Sequence, residues 1–315
     1  MPDILTVTLN PCVDYATSVA ELEPGLKLRC AEPHIDPGGG GINVSRAIKL
    51  LGGRSAALVA IGGNNGARLL QLLTQEGIAT VGFQGPGETR QSLSVSSTAD
   101  AAQFRFVLPG PSWTKHDLRR ALDTIDQATG RETLVVLSGS QPPGVAKTFP
   151  AILSDHLKDR QARLVVDTSG PALTSLIEDP HKALFVLRMD DEEAEGLAGR
   201  SLTTRADTAE FARSLVARGI ARNVIVARGV DGSVLATPTT CWHAMPPRVD
   251  VVSPVGAGDS FVGAFTFALS RGDAPEDCLR LAVATAASAV TTQATRLCDP
   301  KLVQTLAPLC NPTRI

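Results

Sequence analysis

The segment Val255-Gly256-Ala257-Gly258-Asp259-Ser260-Phe261-Val262-Gly263-Ala264-Phe265 sets three small residues directly before an apolar helical run. Unpaired backbone N–H groups at such a helix start, together with the helix dipole, converge on a point where an anion can sit. Asp259 then falls in the first turn, beside that anion. A carboxylate is a poor anion ligand there, but it is a suitable base for a hydroxyl attacking a bound phosphoryl group. The plain alternative is an Asp favoured at a helix start by the dipole. Four residues do not separate the two.

A second cluster, Pro37-Gly38-Gly39-Gly40-Gly41-Ile42-Asn43-Val44-Ser45-Arg46-Ala47, sets four glycines before another helix. Consecutive glycines let a ligand approach backbone N–H groups closely, and Asn43 can both donate to and accept from sugar hydroxyls. A flexible turn is the alternative. Other nucleotide and hydrolase motifs are missing. There is no G-x-x-x-x-G-K-[ST], and the Gly38 run lacks the third glycine of a G-x-G-x-x-G and follows Pro37 rather than a strand. Gly258-Asp259-Ser260 is not a G-x-S-x-G elbow, and none of the five His stands in a triad context. Cys12, Cys30, Cys241, Cys278, Cys298 and Cys310 show no C-x-x-C spacing and read as free thiols, with Cys12 the one nearest a motif.

These segments need a scaffold, and the rest of the chain supplies one. Ile4 to Leu9 is a β-rich run ending at Asn10-Pro11, and Ile42 to Leu51 has helical spacing that stops at Gly52-Gly53. Leu58 to Ile61, Leu134 to Leu137, Leu164 to Val166, Leu184 to Leu187 and Val224 to Ala227 are further short apolar runs. Amphipathic stretches such as Thr114 to Ala128 and Thr204 to Ala217 lie between them. The alternation predicts a mostly parallel sheet covered by helices on both faces, an α/β three-layer domain. Tyr15 to His34 and Arg90 to Leu108 break the rhythm. They are polar, β-prone and without helical period, and they predict antiparallel strands in a small projecting sheet, a lid. The chain reads as one domain over 1–315, with lid segments at about 15–35 and 88–108, and no linker divides it.

With 30 Lys+Arg against 32 Asp+Glu the net charge is −2, and twelve aromatics among 315 residues offer few stacking platforms, so nothing points to nucleic acid. The start MPDILTVTLN lacks a basic leader region, and the 15 charge-free residues between Arg280 and Arg296 are too short and polar to span a bilayer. A soluble cytoplasmic protein is expected.

Taken in order, Asp14 after the first strand, the GGGGINVSRA helix start, Ser138-Gly139-Ser140-Gln141-Pro142-Pro143-Gly144, Val166-Asp167-Thr168-Ser169-Gly170 and Val255 to Ser260 resemble the ribokinase-like (PfkB) carbohydrate kinases. The likeness runs over essentially the whole chain. Within that family, Gly25 to Cys30 (GLKLRC), Thr89-Arg90-Gln91, Phe104 to Gly110 (FRFVLPG) and Ala294 to Cys298 (ATRLC) are similar to the bacterial minor-type 6-phosphofructokinases. Lys27, Arg29, Arg90 and Arg105 all fall on the lid segments, and guanidinium forks suit phosphate oxygens better than a neutral sugar.

The resemblance implies a ribokinase-like α/β/α fold with a β lid, and ATP-dependent phosphorylation of fructose 6-phosphate to fructose 1,6-bisphosphate. It implies that Asp14, Gly39, Gly40 and Asn43 hold sugar hydroxyls, and that Lys27, Arg29, Arg90 and Arg105 hold the substrate phosphate. Ser140 would line the pocket and Asp167 is a weaker candidate. Gly256, Ala257 and Gly258 would form the anion hole, with Asp259 as base. ATP would lie on Arg188, Asp190, Arg228, Gly229 and Gly232 and against Val283, Ala287 and Thr292. Mg2+ would be organised by Asp190 and Glu193. A homodimer through the lid is implied, with Arg29 reaching across it.

The chain departs from the family pattern in two places. Arg188-Met189-Asp190-Asp191-Glu192-Glu193 stands where K-P-N-x-x-E is usual, so Arg188 replaces a Lys near the γ-phosphate. Asp190 and Glu193 keep a spacing that puts both on one helix face, which suits water-mediated Mg2+ as well as a plain acidic first turn. Ser253-Pro254 stands where Asp-Thr is common, which bears on a K+ site, and Ala227 stands where a Ser often precedes the Arg228-Gly229 turn. Three alternatives stay open: 1-phosphofructokinase, tagatose-6-phosphate kinase, and a non-catalytic phosphosugar sensor.

Overall fold

Short apolar runs ending at turn residues become strands, and the amphipathic stretches between them become helices. The structure, a computed structural model, describes residues 1–100, 102–178, 184–293 and 295–315. Its strands are β1 (Ile4–Thr8), β2 (Cys12–Val19), β3 (His34–Gly38), β4 (Ala56–Ile61), β5 (Ala79–Gln84), β6 (Arg90–Ser97), β7 (Gln103–Val107), β8 (Leu134–Ser138), β9 (Arg163–Asp167), β10 (Leu184–Met189), β11 (Ala221–Ala227), β12 (Ser233–Ala236), β13 (Cys241–Ala244) and β14 (Thr313–Arg314). Its helices are α1 (Gly40–Leu50), α2 (Gly63–Gln75), α3 (Lys115–Ala128), α4 (Phe149–Leu157), α5 (Gly170–Glu178), α6 (Asp191–Ala198), α7 (Arg205–Ala217), α8 (Ala257–Ser270), α9 (Pro275–Val290) and α10 (Pro300–Leu306). Ala101 of the second lid segment and Ala294 of the ATRLC run lie outside the described residues.

Ten strands form one sheet in the order β14-β13-β12-β11-β10-β9-β8-β1-β4-β5. The pairs from β11 through β5 are parallel, and β12, β13 and β14 join antiparallel. Successive strand residues point to opposite faces. Leu5, Val7, Val135, Leu137, Val224 and Val226 therefore pack under α3 to α7, while Ile4, Leu134, Val136 and Ile225 pack under α1, α8, α9 and α10. The three layers follow directly, because each helix has an apolar stripe that finds cover only on a sheet face. Burying each such side chain contributes about 1.5–3 kcal/mol.

Helix α1 starts at Gly40, two residues before the apolar period begins, and it ends where Gly52 takes φ +84. There Gly52 and Gly53 donate back to the carbonyls of Lys49 and Ile48, both at 2.9 Å. Thr114 and Thr204 cap α3 and α7 with reciprocal bonds to Asp117 and Asp207.

The lid is a separate four-stranded sheet in the order β3-β2-β6-β7. Two features differ from the antiparallel lid expected. The central pair β2–β6 is parallel, with Cys12 opposite Arg90 and Asp14 opposite Ser92. Both strands leave the same end of the main sheet, β2 directly after β1 and β6 directly after β5, so they keep a common direction. Residues 20–33 form no strand. Two strands from 15–35 thus shrink to β2 and β3 around a long polar connection.

Candidate active site

Thr8, Ser138, Asp167 and Arg188 stand at or next to the carboxyl ends of four adjacent parallel strands, β1, β8, β9 and β10. In open α/β sheets ligands bind at that edge. Here the four residues form one wall of a cleft of about 370 Å³. The starts of α1 and α8 supply Gly39, Gly40, Asn43, Gly256, Gly258 and Asp259, and the lid closes it with Cys12, Asp14, Arg90, Ser92, Arg105 and Val107.

Gly256 caps α8 with φ +80, a left-handed conformation that side-chain-bearing residues rarely adopt, and Gly39 caps α1 with φ +124. The turn at Gly256 leaves the N–H groups of Gly258 and Asp259 without an acceptor among the described residues. They are the donors an anion needs at a helix start. Asp259 accepts a hydrogen bond from Asn43 Nδ2 at 2.9 Å. Burial, reinforced by the Asp167 carboxylate, pushes the Asp259 carboxyl up to about 7, against the lowering effect of Asn43 and Arg188. That value suits a base working near neutrality.

On the lid side, Cys12 donates from Sγ to Asp14 Oδ1 at 2.9 Å. Burial raises the Asp14 carboxyl, while the Cys12 bond and the charges of Arg90, Arg105 and Arg46 pull it back down. Burial also raises the Cys12 thiol well above its ordinary value, with Asp14 adding to the effect. The thiol is therefore held as a hydrogen-bond donor and not as a nucleophile. Arg90 is anchored by its Nε to the Asn10 carbonyl at 3.2 Å, and Asn10 in turn donates to Ser140 Oγ at 3.2 Å. Arg105 lies on the cleft face of β7, and its register partner on β6 is Ser94.

Arg188 and Asp167 are register partners on β10 and β9, and the guanidinium Nη1 meets Asp167 Oδ1 at 3.1 Å. Ser138 donates to the other Asp167 oxygen at 3.1 Å. A Cβ on Gly258 would come within 3.4 Å of the Arg188 Nη atoms, so the fork lies beside the anion hole. Arg188 Nε, buried and without a partner, is a donor left over. Free helix-start N–H groups, a fixed guanidinium and an orphaned N–H together fit the phosphates of ATP.

Asp190 caps α6 and shares a capping box with Glu193, the two backbone N–H groups donating to the two carboxylates at 2.9 Å each. The i, i+3 spacing thus has a structural use. Each carboxylate keeps a second oxygen, and burial raises the Glu193 carboxyl against the lowering effect of the bond from the Asp190 N–H. Among the described residues no three His, Cys, Asp or Glu side chains gather as a metal cage. Mg2+ in phosphoryl-transfer sites usually takes one or two carboxylates plus waters and substrate phosphates, and this pair is compatible with that.

Several expected residues stand elsewhere. Lys27 and Arg29 are exposed on the connection between β2 and β3 and do not reach the cleft of their own chain. Arg228 turns inward, its guanidinium donating to the carbonyls of Leu202 at 2.8 Å and Thr203 at 3.1 Å and to the Thr208 hydroxyl. It pins the start of α7, and its backbone N–H and carbonyl are engaged as well, with the Gly232 carbonyl at 2.8 Å and the Asp231 N–H at 3.0 Å. Gly229 is exposed, whereas Gly232 is buried against the Ala244 carbonyl, where a Cβ would overlap it. Val283 and Ala287 are buried in the core beneath the sheet. The Thr292 hydroxyl is engaged with the carbonyls of Ala289 and Leu297. Ser253 is buried and accepts from the Val255 N–H at 3.3 Å, so at the position tied to a K+ site the side chain closes its own loop.

Thr8, Asn10 and Ser92 also line the cleft, and no sequence motif marks them. Thr8 Oγ1 is buried without a partner and Asn10 Oδ1 likewise, which marks them as cleft donors and acceptors. The available signal was position alone, at the end of β1 just before the lid begins.

The family described as pfkB family carbohydrate kinase matches residues 7–302. ATP-dependent 6-phosphofructokinase isozyme 2 of Mycobacterium tuberculosis is 38% identical over 298 residues, covering 95% of this chain and 87% of the relative. The 1-phosphofructokinase of Bacillus subtilis is 32% identical over 312 residues, covering 99% of this chain and 100% of the relative. Phosphofructokinase-2 of Escherichia coli, solved with potassium, superposes with a TM-score of 0.92 at 35% identity, covering 98% of this chain and 99% of the other. The same enzyme solved with fructose-6-phosphate gives 0.91 at 34%, with the same coverage.

Proposed function

The chain belongs to the pfkB family of carbohydrate kinases, and from that premise we propose that it transfers the γ-phosphoryl group of ATP to the free primary hydroxyl of fructose 6-phosphate. The products are fructose 1,6-bisphosphate and ADP. The observation that carries this reading is the position of Asp259, a carboxyl raised to about 7 at a helix-start anion hole, in a cleft whose lid carries Arg90 and Arg105.

Asp14 and Asn43 hold the sugar hydroxyls, with the Gly39 and Gly40 backbone beneath, and Arg90 and Arg105 take the phosphate already on the sugar. The primary hydroxyl then faces Asp259. As its oxygen bonds to the γ-phosphorus, the bond from that phosphorus to the β-phosphate oxygen breaks, and the hydroxyl proton passes to Asp259. The transition state is loose, so alignment and charge neutralisation account for most of the acceleration. The free N–H groups of Gly258 and Asp259, in the turn opened by Gly256 and Ala257, and the Arg188 fork meet the charge on the transferred group. Asp190 and Glu193 would hold Mg2+ through water, where the ion would neutralise phosphate charge. ATP and a hexose phosphate as substrates support a cytoplasmic reaction.

We assign the assembly as a homodimer through the lid. Phe104, Phe106 and Leu93 lie on the lid face opposite Arg105 and Val107 and are 45%, 50% and 39% exposed. An apolar patch of this kind on an uncovered sheet marks a contact surface. The exposed Arg29 would then serve the partner's substrate phosphate.

The decisive experiment is a coupled ADP-release assay with Mg-ATP and fructose 6-phosphate, fructose 1-phosphate or tagatose 6-phosphate, beside Asp259→Asn. Fructose 6-phosphate should give the highest kcat/KM, and the mutant should lose turnover. A higher kcat/KM with either other sugar would overturn the substrate. The fructose 1-phosphate arm carries weight because of the likeness to the Bacillus subtilis enzyme.

A further inference from the structure

Arg46 lies one turn after Asn43 on α1, and its side chain is only 10% exposed. It makes a bidentate pair with Glu76 at the end of α2, at 2.7 and 2.8 Å. Its Nη2 reaches Asp36 Oδ1 of β3 at 3.2 Å, and its Nη1 reaches the Thr295 carbonyl at 3.3 Å and Asn43 Oδ1 at 3.2 Å. Arg46 is not itself among the residues that line the cleft, and it meets the cleft wall through Asn43. Its contacts nevertheless tie the root of the lid, the helix that carries Asn43 and the loop after α9 to one rigid fork.

The bond to Asn43 sets the polarity of an amide. An Asn side chain has one accepting end and one donating end. With Oδ1 taken by Arg46, Nδ2 is the end that faces Asp259, at 2.9 Å. Were the amide free to turn, its oxygen would face the carboxylate and the bond would be replaced by repulsion. We propose that Arg46 is a positioning residue for the phosphotransfer base, acting through the Asn43 amide and anchored to the lid strand by Asp36. This rests on the reading of Asp259 as base.

The charged groups that surround this relay are Asp167 of β9, Arg188 of β10 and Asp14 of β2 around Asp259, with Asp36 of β3 and Glu76 around Arg46. His34 of β3 stands 3.1 Å from the second Asp36 oxygen. The Arg46 charge also lowers the Asp14 carboxyl, so the acid limb of kcat/KM reads the relay cleanly in a variant that keeps the charge and loses the fork.

Arg46→Met should lower kcat by about tenfold to a hundredfold, as a small misplacement of a reacting group does, and should move the acid limb to higher pH. Asn43→Ala should move it the same way, and the double variant should add nothing further. Arg46→Lys keeps a charge for Glu76 without a fork, so it should fold and still show the moved limb. Glu76→Gln leaves the guanidinium on Asp36 and Asn43 and should lower Tm with the limb in place. Side-chain amide NMR gives a readout without turnover: the Asn43 Nδ2 protons should titrate with Asp259 in the wild type and lose that response in Arg46→Lys. An unmoved limb in Arg46→Lys, additive shifts in the double variant, or an unchanged amide titration would each overturn the proposal. Should Asp259→Asn retain turnover, the base reading falls, and the amide titration still decides whether Arg46 orients Asn43.

Discussion

Asn43 Nδ2 donates to Asp259 Oδ2 at 2.9 Å across 216 residues of chain, joining the first turns of α1 and α8. It gives the carboxylate a defined orientation in the cleft. Replacing the carboxylate by an amide keeps the size and removes the base, so Asp259→Asn should lower kcat by about 10²–10⁴-fold with ATP affinity largely kept. Single-turnover kinetics beside equilibrium nucleotide binding checks both halves.

The same residue predicts an unusual stability change. Its folded value of about 7 lies above the ordinary 3.8, so between those values the folded chain holds a proton that the unfolded chain releases. Stability then falls as pH rises through that window, and the full cost stands above about pH 7. Asp259→Asn removes the cost. At pH 8 it should be more stable than the wild type by on the order of a few kcal/mol at most, seen as a higher Tm, and the difference should vanish towards pH 4. Calorimetry without ligand is the measurement. For the wild type, kcat/KM should fall on the acid side with an apparent pKa near 7.

Asp259 and its glycine turn are legible in the chain because a run of small residues before an apolar helix dictates local geometry by itself. The parallel sheet is legible for a similar reason, since β1, β4, β8, β9 and β10 are buried on both faces and read as unbroken apolar runs. The direction of β2 against β6 is not, because alternation shows that a strand has two faces but not which strand it will meet. For Lys27 and Arg29 the family resemblance implies a phosphate site, but nothing in a polar, aperiodic connection says how far it stands from the cleft. The role of Arg46 is not legible in the chain, because Asp36, Glu76 and Thr295 come from three elements that only the tertiary fold assembles around it.

Arg188 and Asp167 pair on neighbouring strands at 3.1 Å, with side chains only 15% and 14% exposed. The carboxylate sets the fork beside the anion hole and balances its charge. Arg188→Met should lower kcat by about 10²–10³-fold, the usual loss when one stabilising donor is removed. Arg188→Lys should retain part of the rate, since a point charge remains without the fixed fork. Asp167→Ala should lower Tm as well as raise KM for ATP, because it leaves a largely buried cation unpaired. Steady-state kinetics and thermal melts of the three variants test the assignment.

Gly38 gives a way to disturb the sugar site alone. A Cβ there would overlap the Asp14 carboxylate, so Gly38→Ala must push Asp14 off its position beside Cys12. The expected outcome is a KM for the sugar raised by about tenfold or more, the scale of one lost hydrogen bond to a charged group, with KM for ATP near the wild-type value. Equal loss for both substrates would show that the strand, and not Asp14, had moved.

Phe106 and Leu93 face each other across β7 and β6 on the exposed side of the lid, and the homodimer reading needs that surface covered. Phe106→Asp would set a charge in the middle of the contact, which is unfavourable when buried without a partner. Sedimentation should then show a dimer for the wild type and a monomer for the variant. With Arg29 no longer supplied across the interface, KM for the sugar phosphate should rise while the fold, followed by circular dichroism, is kept. Arg29→Ala in an intact dimer should reproduce the rise in KM without the change in mass. A monomeric wild type, or an Arg29→Ala enzyme with unchanged KM, would remove the partner's arginine from the site and leave Arg90 and Arg105 to hold the phosphate alone.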